Sequence, residues 1–372
     1  MNARPEPDCM PGAPHPRETE HIFGQDAAIR AFFETCASNR LHHAWLIIGP
    51  RGIGKATLAW KIARFLLTTP SIREDGSPDA PLSPESLLVD PAHPVARRMA
   101  ALSEPGLFLL RRPFDEKTDR LKQDITIDEV RKLKDFFSLS ATDGGRRVVI
   151  VDAADELNGP AANALLKILE EPPARVHFLL IGHRPWKLLA TIRSRCRVLR
   201  CQTLGADDLR CALRQARFSH TTPGIAELAA GSVGQAVRLA SLGGTQIYEE
   251  LVALFATIPN IDRPGALKLA DSAVGRQAAD RFALLTHLLE LFLSRLARTG
   301  VIGTPPEEAT EGEAALLQRL CPCDAAARDW AELTQTLSAR SQHGRAVNLD
   351  PAALILDMVL KIDQMAARLA AR

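Results

Sequence analysis

A glycine-rich segment near residue 50 carries the clearest chemical pattern in the chain. It reads Gly49, Pro50, Arg51, Gly52, Ile53, Gly54 and Lys55. Glycines let backbone N–H groups turn inward around phosphate oxygens, and a following helix N-terminus adds a favourable potential. Lys55 would then reach the terminal phosphates of a nucleotide. The pattern predicts a phosphate-binding loop; the alternative is a loop that keeps this shape without binding nucleotide.

Two positions that a nucleotide hydrolase needs carry alanine. Ala56 stands where such loops have Ser or Thr, whose hydroxyl binds Mg²⁺, and Thr57 lies about 100° further round the helix. Asp152 ends an apolar strand-like run and could hold Mg²⁺ through water, but Ala153 replaces the glutamate that would polarise the attacking water. If nucleotide binds, we expect ATP or ADP with weak or no Mg²⁺, and no turnover.

Two carboxylates beyond Asp152 are candidates to replace the missing groups. Asp155 and Glu156 lie between the predicted strand and Asn158, which can cap the next helix. We expect them to be surface charges near that cap rather than groups of a nucleotide site.

Strand-like and helix-like stretches alternate around these residues from His21 to about Cys201. Apolar runs predict five strands, and helical periodicity or capping patterns predict helices between them. The runs read HHAWLIIG, GLFLLRR, RVVIVD, VHFLLIG and RVLRC. Because strands that alternate with helices form parallel sheets covered on both faces, the sequence predicts an α/β domain over residues 21–203.

The remainder of the chain is predicted to be helical, apart from its beginning. Residues 1–20 are Pro-rich and polar without an apolar core, which is typical of a disordered tail rather than a signal peptide. Residues 204–244 are predicted to form a small helical domain, and residues 245–372 an all-α domain. The apolar positions of the later helices cover more than one face; most of them are expected to form an ordinary bundle core, and a surplus would fit an oligomer interface.

The composition of the 372 residues is that of a globular protein, with 46% hydrophobic and 24% charged residues. Lys plus Arg number 46 and Asp plus Glu 44, and this balance argues against a dedicated DNA coat. No apolar run approaches the roughly 20 residues that span a bilayer. Seven cysteines without a regular framework indicate reduced, cytoplasmic thiols. No zinc site is expected at Cys321 and Cys323, which lack partners at zinc spacing.

Four longer segments together resemble one protein family. They are HHAWLIIGPRGIGKATLAWKIARFLL (42–67), VVIVDAADELNGPAANALLKILEEPP (148–173), TIRSRC (191–196) and NLDPAALILDMVLK (348–361). They are similar to segments of the clamp-loader branch of the AAA+ family, and within it to the delta-prime type of subunit in bacterial DNA polymerase III. The resemblance implies a RecA-like AAA+ P-loop domain over residues 21–203, a lid over 204–244 and a collar over 245–372.

The resemblance also implies a role for Ser194, Arg195 and Cys196. In this family the arginine of the SRC motif is a finger that acts in trans, at the ATP site of a neighbouring motor subunit. A planar, always charged guanidinium can stabilise charge on a transferring phosphoryl group. Without the family pattern, Arg195 would be interpreted as one more basic residue on a solvated edge.

Further positions depart from the pattern of active family members. The stretch IGHR (181–184) replaces the polar sensor residue that motor subunits have after the fourth strand. Gly234 stands where a second sensor carries arginine, and Arg238 lies one turn later. The four-cysteine zinc module of many members is missing between residues 66 and 107. We therefore expect no zinc, with the Pro-rich loop 69–85 and the stretch VARRMAALSEPG in place of that module.

The implied function is that of a stator in a hetero-oligomeric clamp loader. Such a subunit assembles with motor (gamma/tau) and delta subunits, and through them acts on a sliding clamp and primed DNA, in the cytoplasmic replisome at the nucleoid and with no membrane partner. It belongs to a DNA-directed DNA polymerase holoenzyme and its clamp-loading ATPase, without expected turnover of its own. Three alternatives stay open: an autonomous AAA+ ATPase motor acting on DNA, a scaffold that neither binds ATP nor donates an arginine, and a direct DNA-binding protein.

Overall fold

A computed structural model of the chain describes residues 6–7, 9–10, 12–37, 41–69, 86–138, 145–218, 223–274, 278–347 and 349–371. The chain divides into two compact units. The first contains Met1–Arg217 and Gly231–Gly234, and the second contains Phe218–Ala230 and Gln235–Arg372.

A parallel sheet forms the centre of the first unit. The strands described there are β1 (Ala44–Ile48), β2 (Leu107–Arg111), β3 (Phe114–Asp115), β4 (Arg120–Leu121), β5 (Arg147–Asp152), β6 (Val176–Gly182) and β7 (Arg197–Arg200). Five of them pair in the order β2-β5-β6-β1-β7, all parallel, whereas β3 and β4 form an antiparallel pair. The five predicted strands and the parallel sheet are confirmed. The β3–β4 pair was not predicted, because two-residue strands carry no alternating pattern.

Helices pack around this sheet and bury it. Those described in the first unit are α1 (Asp26–Ala37), α2 (Lys55–Thr68), α3 (Pro94–Ala100), α4 (Ile127–Ser138), α5 (Gly159–Glu170), α6 (Ala190–Ser194) and α7 (Ala206–Gln215). All residues of β1 and β6 are buried, as expected for strands covered on both faces. Asn158 caps α5, since its Oδ1 accepts a hydrogen bond from Ala161 N at 3.0 Å.

The described part of the N-terminal segment makes specific contacts, which differs from the disordered tail expected over residues 1–20. The Glu6 carboxylate pairs with Arg17 and Arg111 at 2.8 Å each. His15 is buried and meets the Trp60 ring edge-on, with the ring centroids 5.8 Å apart. A polar, Pro-rich composition does not reveal these partners, because they lie far away in the sequence.

The two units also differ from the three domains expected from the sequence. Helix α7 lies in the first unit, beyond the expected boundary at residue 203. Its Gln215 side chain both donates to His21 O at 2.9 Å and accepts from His21 N at 2.8 Å. The expected lid, residues 204–244, is therefore shared between the units. Most of the Pro-rich loop 69–85 lies outside the described residues.

The second unit is helical throughout its described residues, as predicted. Its helices are α8 (Pro223–Ala229), most of α9 (Val233–Ser241), α10 (Gly244–Ala256), α11 (Arg263–Asp271), α12 (Ala278–Ile302), α13 (Glu313–Leu320), α14 (Asp324–Ala346) and α15 (Pro351–Ala370). No helix in the described part of the chain has the length and apolar character needed to cross a membrane.

A buried charged network joins α10, α12 and α13. Glu313 is fully buried, and its two oxygens accept from Arg295 at 2.6 and 3.0 Å. Tyr248 Oη donates to the same carboxylate at 2.6 Å, and Ala309 N donates at 2.8 Å. Burial, with the adjacent carboxylate, raises the pKa of Tyr248 far above its ordinary value. The network satisfies every carboxylate oxygen in a site without water access.

Substitution of Arg295 tests this network. We expect Arg295→Ala to lower the free energy of unfolding by about 3–5 kcal/mol, because it leaves the Glu313 charge buried and unpaired. Arg340→Ala is the matched control, since Arg340 and Asp357 form an exposed pair worth about 1 kcal/mol or less. Urea unfolding followed by circular dichroism measures both. Equal losses for the two variants would contradict the prediction.

Candidate functional site

The predicted phosphate-binding loop connects β1 to α2. Gly52 and Gly54 have positive φ angles of 78° and 95°, and Gly54 directly precedes α2. A Cβ atom at Gly52 would lie 2.5 Å from the Ser232 hydroxyl oxygen, and one at Gly49 would lie 2.6 Å from Cys201 O. The residues predicted for this loop therefore form the strand–loop–helix arrangement that the motif requires.

Lys55 is buried and bonded to its own loop. Its Nζ donates to Gly49 O at 2.7 Å and also to Pro50 O. Burial, only partly offset by Cys201 and Asp152, lowers the pKa of Lys55 to about 8. The lysine charge is thus held by two backbone carbonyls of the loop. A nucleotide phosphate would have to replace these bonds.

The positions for magnesium and water activation lie where the sequence places them, but they lack the required groups. Ala56 and Thr57 are half-buried in the first turn of α2. Asp152 ends β5 and is buried, and Ala153 after it is 2% exposed. A methyl group at 153 can neither accept a proton nor orient water. These residues do not fit hydrolysis of a magnesium nucleotide.

Asp155 and Glu156 are not surface charges, so the sequence-based interpretation of them is wrong. The Asp155 side chain is 1% exposed, accepts from His183 N at 2.9 Å, and lies 3.5 Å from Arg184 Nε. Burial opposes its charge, but these partners hold the pKa of Asp155 below its ordinary value. Glu156 accepts from Arg51 at 3.2 Å and pairs with Arg112 at 2.8 Å. The two carboxylates thus connect the loop to the ends of β2 and β6.

His183 occupies the altered sensor position after β6. Burial, together with the nearby charges of Lys55 and Arg51, lowers its pKa to about 3. The imidazole is therefore neutral at physiological pH. Its backbone N–H is bound to Asp155, which fixes the residue beside the loop.

Gly234 packs directly against the phosphate-binding loop. Its N–H donates to Gly52 O at 3.0 Å, and a Cβ atom built on it would lie 2.9 Å from Gly52 Cα. The hydroxyl of Ser232 donates to Arg51 O at 2.9 Å. This packing leaves no room for the arginine of a second sensor at position 234. Arg238 belongs to the second unit, where its guanidinium donates to Asp280 O.

Arg195 lies at the C-terminal end of α6 and is partly exposed. Its Nη2 pairs with Glu170 Oε1 at 2.7 Å, and its Nη1 donates to Thr191 O at 3.0 Å. Ser194 Oγ also donates to Thr191 O, at 3.0 Å. Cys196 is part of the core, where burial raises its pKa to about 12. Ser194 and Cys196 thus fix the backbone that carries the guanidinium.

The sheet separates Arg195 from the phosphate-binding loop. Arg197, the first residue of β7, pairs with Trp45 near the start of β1, whereas the loop follows Ile48 at the end of β1. These two positions on β1 are three residues apart, which is about 10 Å of extended strand. The structure therefore gathers Lys55, Asp152 and His183 at one edge of the sheet and places Arg195 at the other.

Sequence analysis did not identify Glu170 and Ser232 as partners of the predicted site residues. Glu170 is the last residue of α5, just before Pro172 and Pro173, so its place at a helix end could be read from the motif. Its pairing with Arg195 depends on how α5 and α6 pack, which no local pattern encodes. Ser232 had no signal of its own.

Metal binding has no candidate site in the described residues. No group of three or more His, Cys, Asp or Glu side chains there is arranged to hold a metal ion. The stretch VARRMAALSEPG contains α3 except for its first residue, Pro94, and carries no cysteine.

A family described as DNA polymerase III, delta subunit, matches residues 24–205 of the chain. Subunit delta' of DNA polymerase III from Pseudomonas aeruginosa is 34% identical over 208 residues, which cover 56% of this chain and 58% of that protein. The Escherichia coli subunit delta' is 29% identical, over 88% of this chain and 90% of the relative.

Subunit tau from Salmonella typhimurium is 28% identical over 82% of this chain but only 47% of its own length. Among solved structures, a gamma subunit-related protein from Thermotoga maritima matches with 15% identity and a TM-score of 0.40 over 92% of this chain and 99% of its own. This structural likeness is too weak to add to the argument.

Replacing Lys55 tests whether its buried charge lowers the free energy of unfolding. We expect Lys55→Met to raise the free energy of unfolding by about 1–3 kcal/mol at neutral pH. This value is the cost of burying the lysine charge, reduced by the contribution of the two hydrogen bonds that the variant loses. The pKa of Lys55 is about 8 in the folded chain and 10.5 ordinarily. Between these values the unfolded state binds more protons, so the wild type gains stability as pH rises. The advantage of the variant is therefore full below pH 8 and shrinks towards pH 10.5.

Urea unfolding of the isolated chain at a series of pH values measures this effect. Lys134→Met, at an exposed position of α4, is the control and should show no such pH dependence. A variant that is less stable at neutral pH, or whose advantage does not change with pH, would contradict the account of Lys55.

Proposed function

Because this chain is a member of the clamp-loader family of DNA polymerase III subunits, we propose that it acts in a clamp loader as a delta-prime-like stator. In this role it donates Arg195 to the ATP site of a neighbouring motor subunit. The complex then loads a sliding clamp on primed DNA, in an ATP-dependent step of DNA replication. The chain's own phosphate-binding loop does not turn over ATP.

The position of Arg195 carries this proposal. It lies at the edge of the sheet opposite its own phosphate-binding loop, so it serves no nucleotide bound to that loop. Its guanidinium is partly exposed and held in place by Glu170 and Thr191. Exposed ion pairs contribute only about 0–1 kcal/mol, so phosphate oxygens of a partner can replace the Glu170 carboxylate at little cost. A finger that acts in trans needs these properties.

The state of the chain's own loop supports the second half of the proposal. Ala56 and Ala153 supply neither a magnesium ligand nor a water-orienting group. Lys55 is bound to carbonyls of its own loop, and Gly234 packs against Gly52. Any ATP or ADP that binds there does so with weak or no Mg²⁺. The loop then serves the fold rather than catalysis.

The proposed partners are motor (gamma/tau) and delta subunits, with the sliding clamp and primed DNA reached through the complex. The long α12, α14 and α15 of the second unit would join the collar of this hetero-oligomer. This places the chain in the cytoplasm, with the replisome at the nucleoid. Relatives with tau and gamma names match this chain, which supports an assembly of related subunits.

Mutation of Arg195 in a reconstituted complex tests the finger. Arg195→Ala should leave assembly intact, because it removes only an exposed ion pair. At the one ATP site that Arg195 serves, the rate of hydrolysis should fall about 10³–10⁵-fold. The DNA-stimulated ATPase rate of the whole complex should fall by the fraction of the total rate that this one site contributes. Steady-state phosphate release and a clamp-loading assay measure the two effects.

Arg193→Ala is the matched control for this experiment. Arg193 lies one position outside the SRC motif and is exposed, so its loss should leave ATPase and loading near wild type. Unchanged ATPase and loading in Arg195→Ala would remove the finger from the proposal and favour a pure scaffold.

The isolated chain tests the idle loop. We expect no ATP turnover above background by the purified chain, because the groups at positions 56 and 153 are methyls. A motor subunit assayed in parallel provides the positive control. Brisk hydrolysis that Lys55→Met abolishes would identify an autonomous AAA+ ATPase and would overturn the stator proposal.

A further inference from the structure

Trp186 is the most exposed large hydrophobic residue in the described part of the chain. Its side chain is 72% exposed, whereas Trp45, Trp60 and Trp330 are at most 1% exposed. Large aromatic side chains are normally buried, because each withdraws a large apolar surface from water. Single exposed hydrophobic residues are common on folded surfaces, so the meaning of Trp186 depends on the groups around it.

The turn that carries Trp186 is anchored rather than loose. Residues Pro185–Lys187 form a single 3-10 turn just after β6, in which Lys187 N donates to Arg184 O at 2.9 Å. Before the turn, the buried Asp155 carboxylate binds His183 N, and lies 3.5 Å from Arg184 Nε. After it, Leu188 is buried in the core. Both ends of the turn are fixed, so the exposure of Trp186 to solvent does not result from a loose loop.

The chain around Trp186 is basic and has no acidic residue. Between positions 183 and 200 there are six basic residues and neither Asp nor Glu: Arg184, Lys187, Arg193, Arg195, Arg197 and Arg200. Asp155 pairs with Arg184 and Glu170 with Arg195. No carboxylate among the described residues forms an ion pair with Lys187 or Arg200. Arg195 and Arg197 lie at the opposite edge of the sheet, so the cation next to Trp186 that no described carboxylate pairs with is Lys187.

The sheet brings Arg200 to the same edge as Trp186. Ile48 pairs with Gly182 at the end of β6 and with Arg200 at the end of β7. Two strand spacings separate these ends, which is about 10 Å. Arg51 follows β1 at the same edge and is exposed, although it also binds Glu156. Arg51 and Arg200 thus lie at the same edge of the sheet as the end of β6, from which the turn with Trp186 follows.

We propose that this edge of the first unit is a binding site for single-stranded DNA. Trp186 stacks on a base, while Lys187 and Arg200 contact the phosphates on either side. An aromatic ring flanked by cations is the arrangement that binds single strands without sequence preference, because every base has a π-face. An acidic protein surface would complement the same charges, but DNA also supplies bases that stack on the exposed ring, so DNA is the favoured partner. The proposal goes beyond the stator function and does not require Arg195.

The test uses the isolated full-length chain and a labelled oligothymidylate of about 16 nucleotides. Fluorescence anisotropy measures its affinity at low salt, where non-specific binding reaches about 10⁻⁵ M or tighter. We expect Trp186→Ala to weaken binding about 10- to 100-fold. Trp186→Phe keeps an aromatic face and should stay within about threefold of wild type. Lys187→Gln should lower the salt dependence by about one phosphate contact.

Lys268→Gln, at an exposed position of the second unit, is the matched control and should bind as wild type does. Tryptophan fluorescence provides an independent readout, because Trp186 is the one tryptophan in the described chain that a soluble quencher can reach. Bound oligothymidylate should quench its emission and protect it from acrylamide. Equal affinity of wild type and Trp186→Ala would overturn the proposal, as would the absence of binding. Trp186-dependent binding of poly-glutamate in place of DNA would assign the edge to an acidic protein.

Discussion

The parallel pairing of β1 with β6 and β7 is the constraint on which the rest of the structure depends. Parallel strands place all their carboxyl ends at one edge of the sheet and all their amino ends at the other. The phosphate-binding loop follows the end of β1, and Arg195 precedes the start of β7. One polypeptide therefore presents a nucleotide loop and a guanidinium on opposite edges. The proposed action of Arg195 on a neighbour's nucleotide depends on this polarity.

In the first unit, side chains that could serve a nucleotide bind groups of the protein itself. Lys55 Nζ donates hydrogen bonds to the carbonyl oxygens of Gly49 and Pro50. The buried Asp155 carboxylate accepts a hydrogen bond from the backbone N–H of His183. Burial lowers the pKa of Lys55 to about 8 and that of His183 to about 3, so at neutral pH the lysine keeps its charge and the imidazole is neutral. The Lys55 ammonium, which would bind nucleotide phosphates in an active loop, is bonded to backbone carbonyls of the protein instead. The proposed stator role is consistent with this arrangement.

Sequence patterns predicted the five strands, the parallel sheet and the helical second part, since apolar runs and helical periodicity are local signals. They also singled out the glycine loop, Asp152 at the end of β5 and the SRC segment, whose functional roles stay predictions. They failed for Asp155, whose carboxylate is buried because His183 and Arg184 arrive from β6, far along the chain. They also failed for Glu6, which pairs with Arg111 at the end of β2. Contacts between distant segments depend on packing, which residue types alone do not specify.

The most direct test of the central claim is a structure of the assembled clamp loader, determined by cryo-electron microscopy with a non-hydrolysable ATP analogue. The account predicts that the Arg195 guanidinium has left Glu170 and contacts the terminal phosphate bound to the adjacent motor subunit. It also predicts that Lys55 still binds the carbonyls of its own loop. An Arg195 that faces solvent or remains on Glu170, with a magnesium nucleotide held by Lys55, would contradict it.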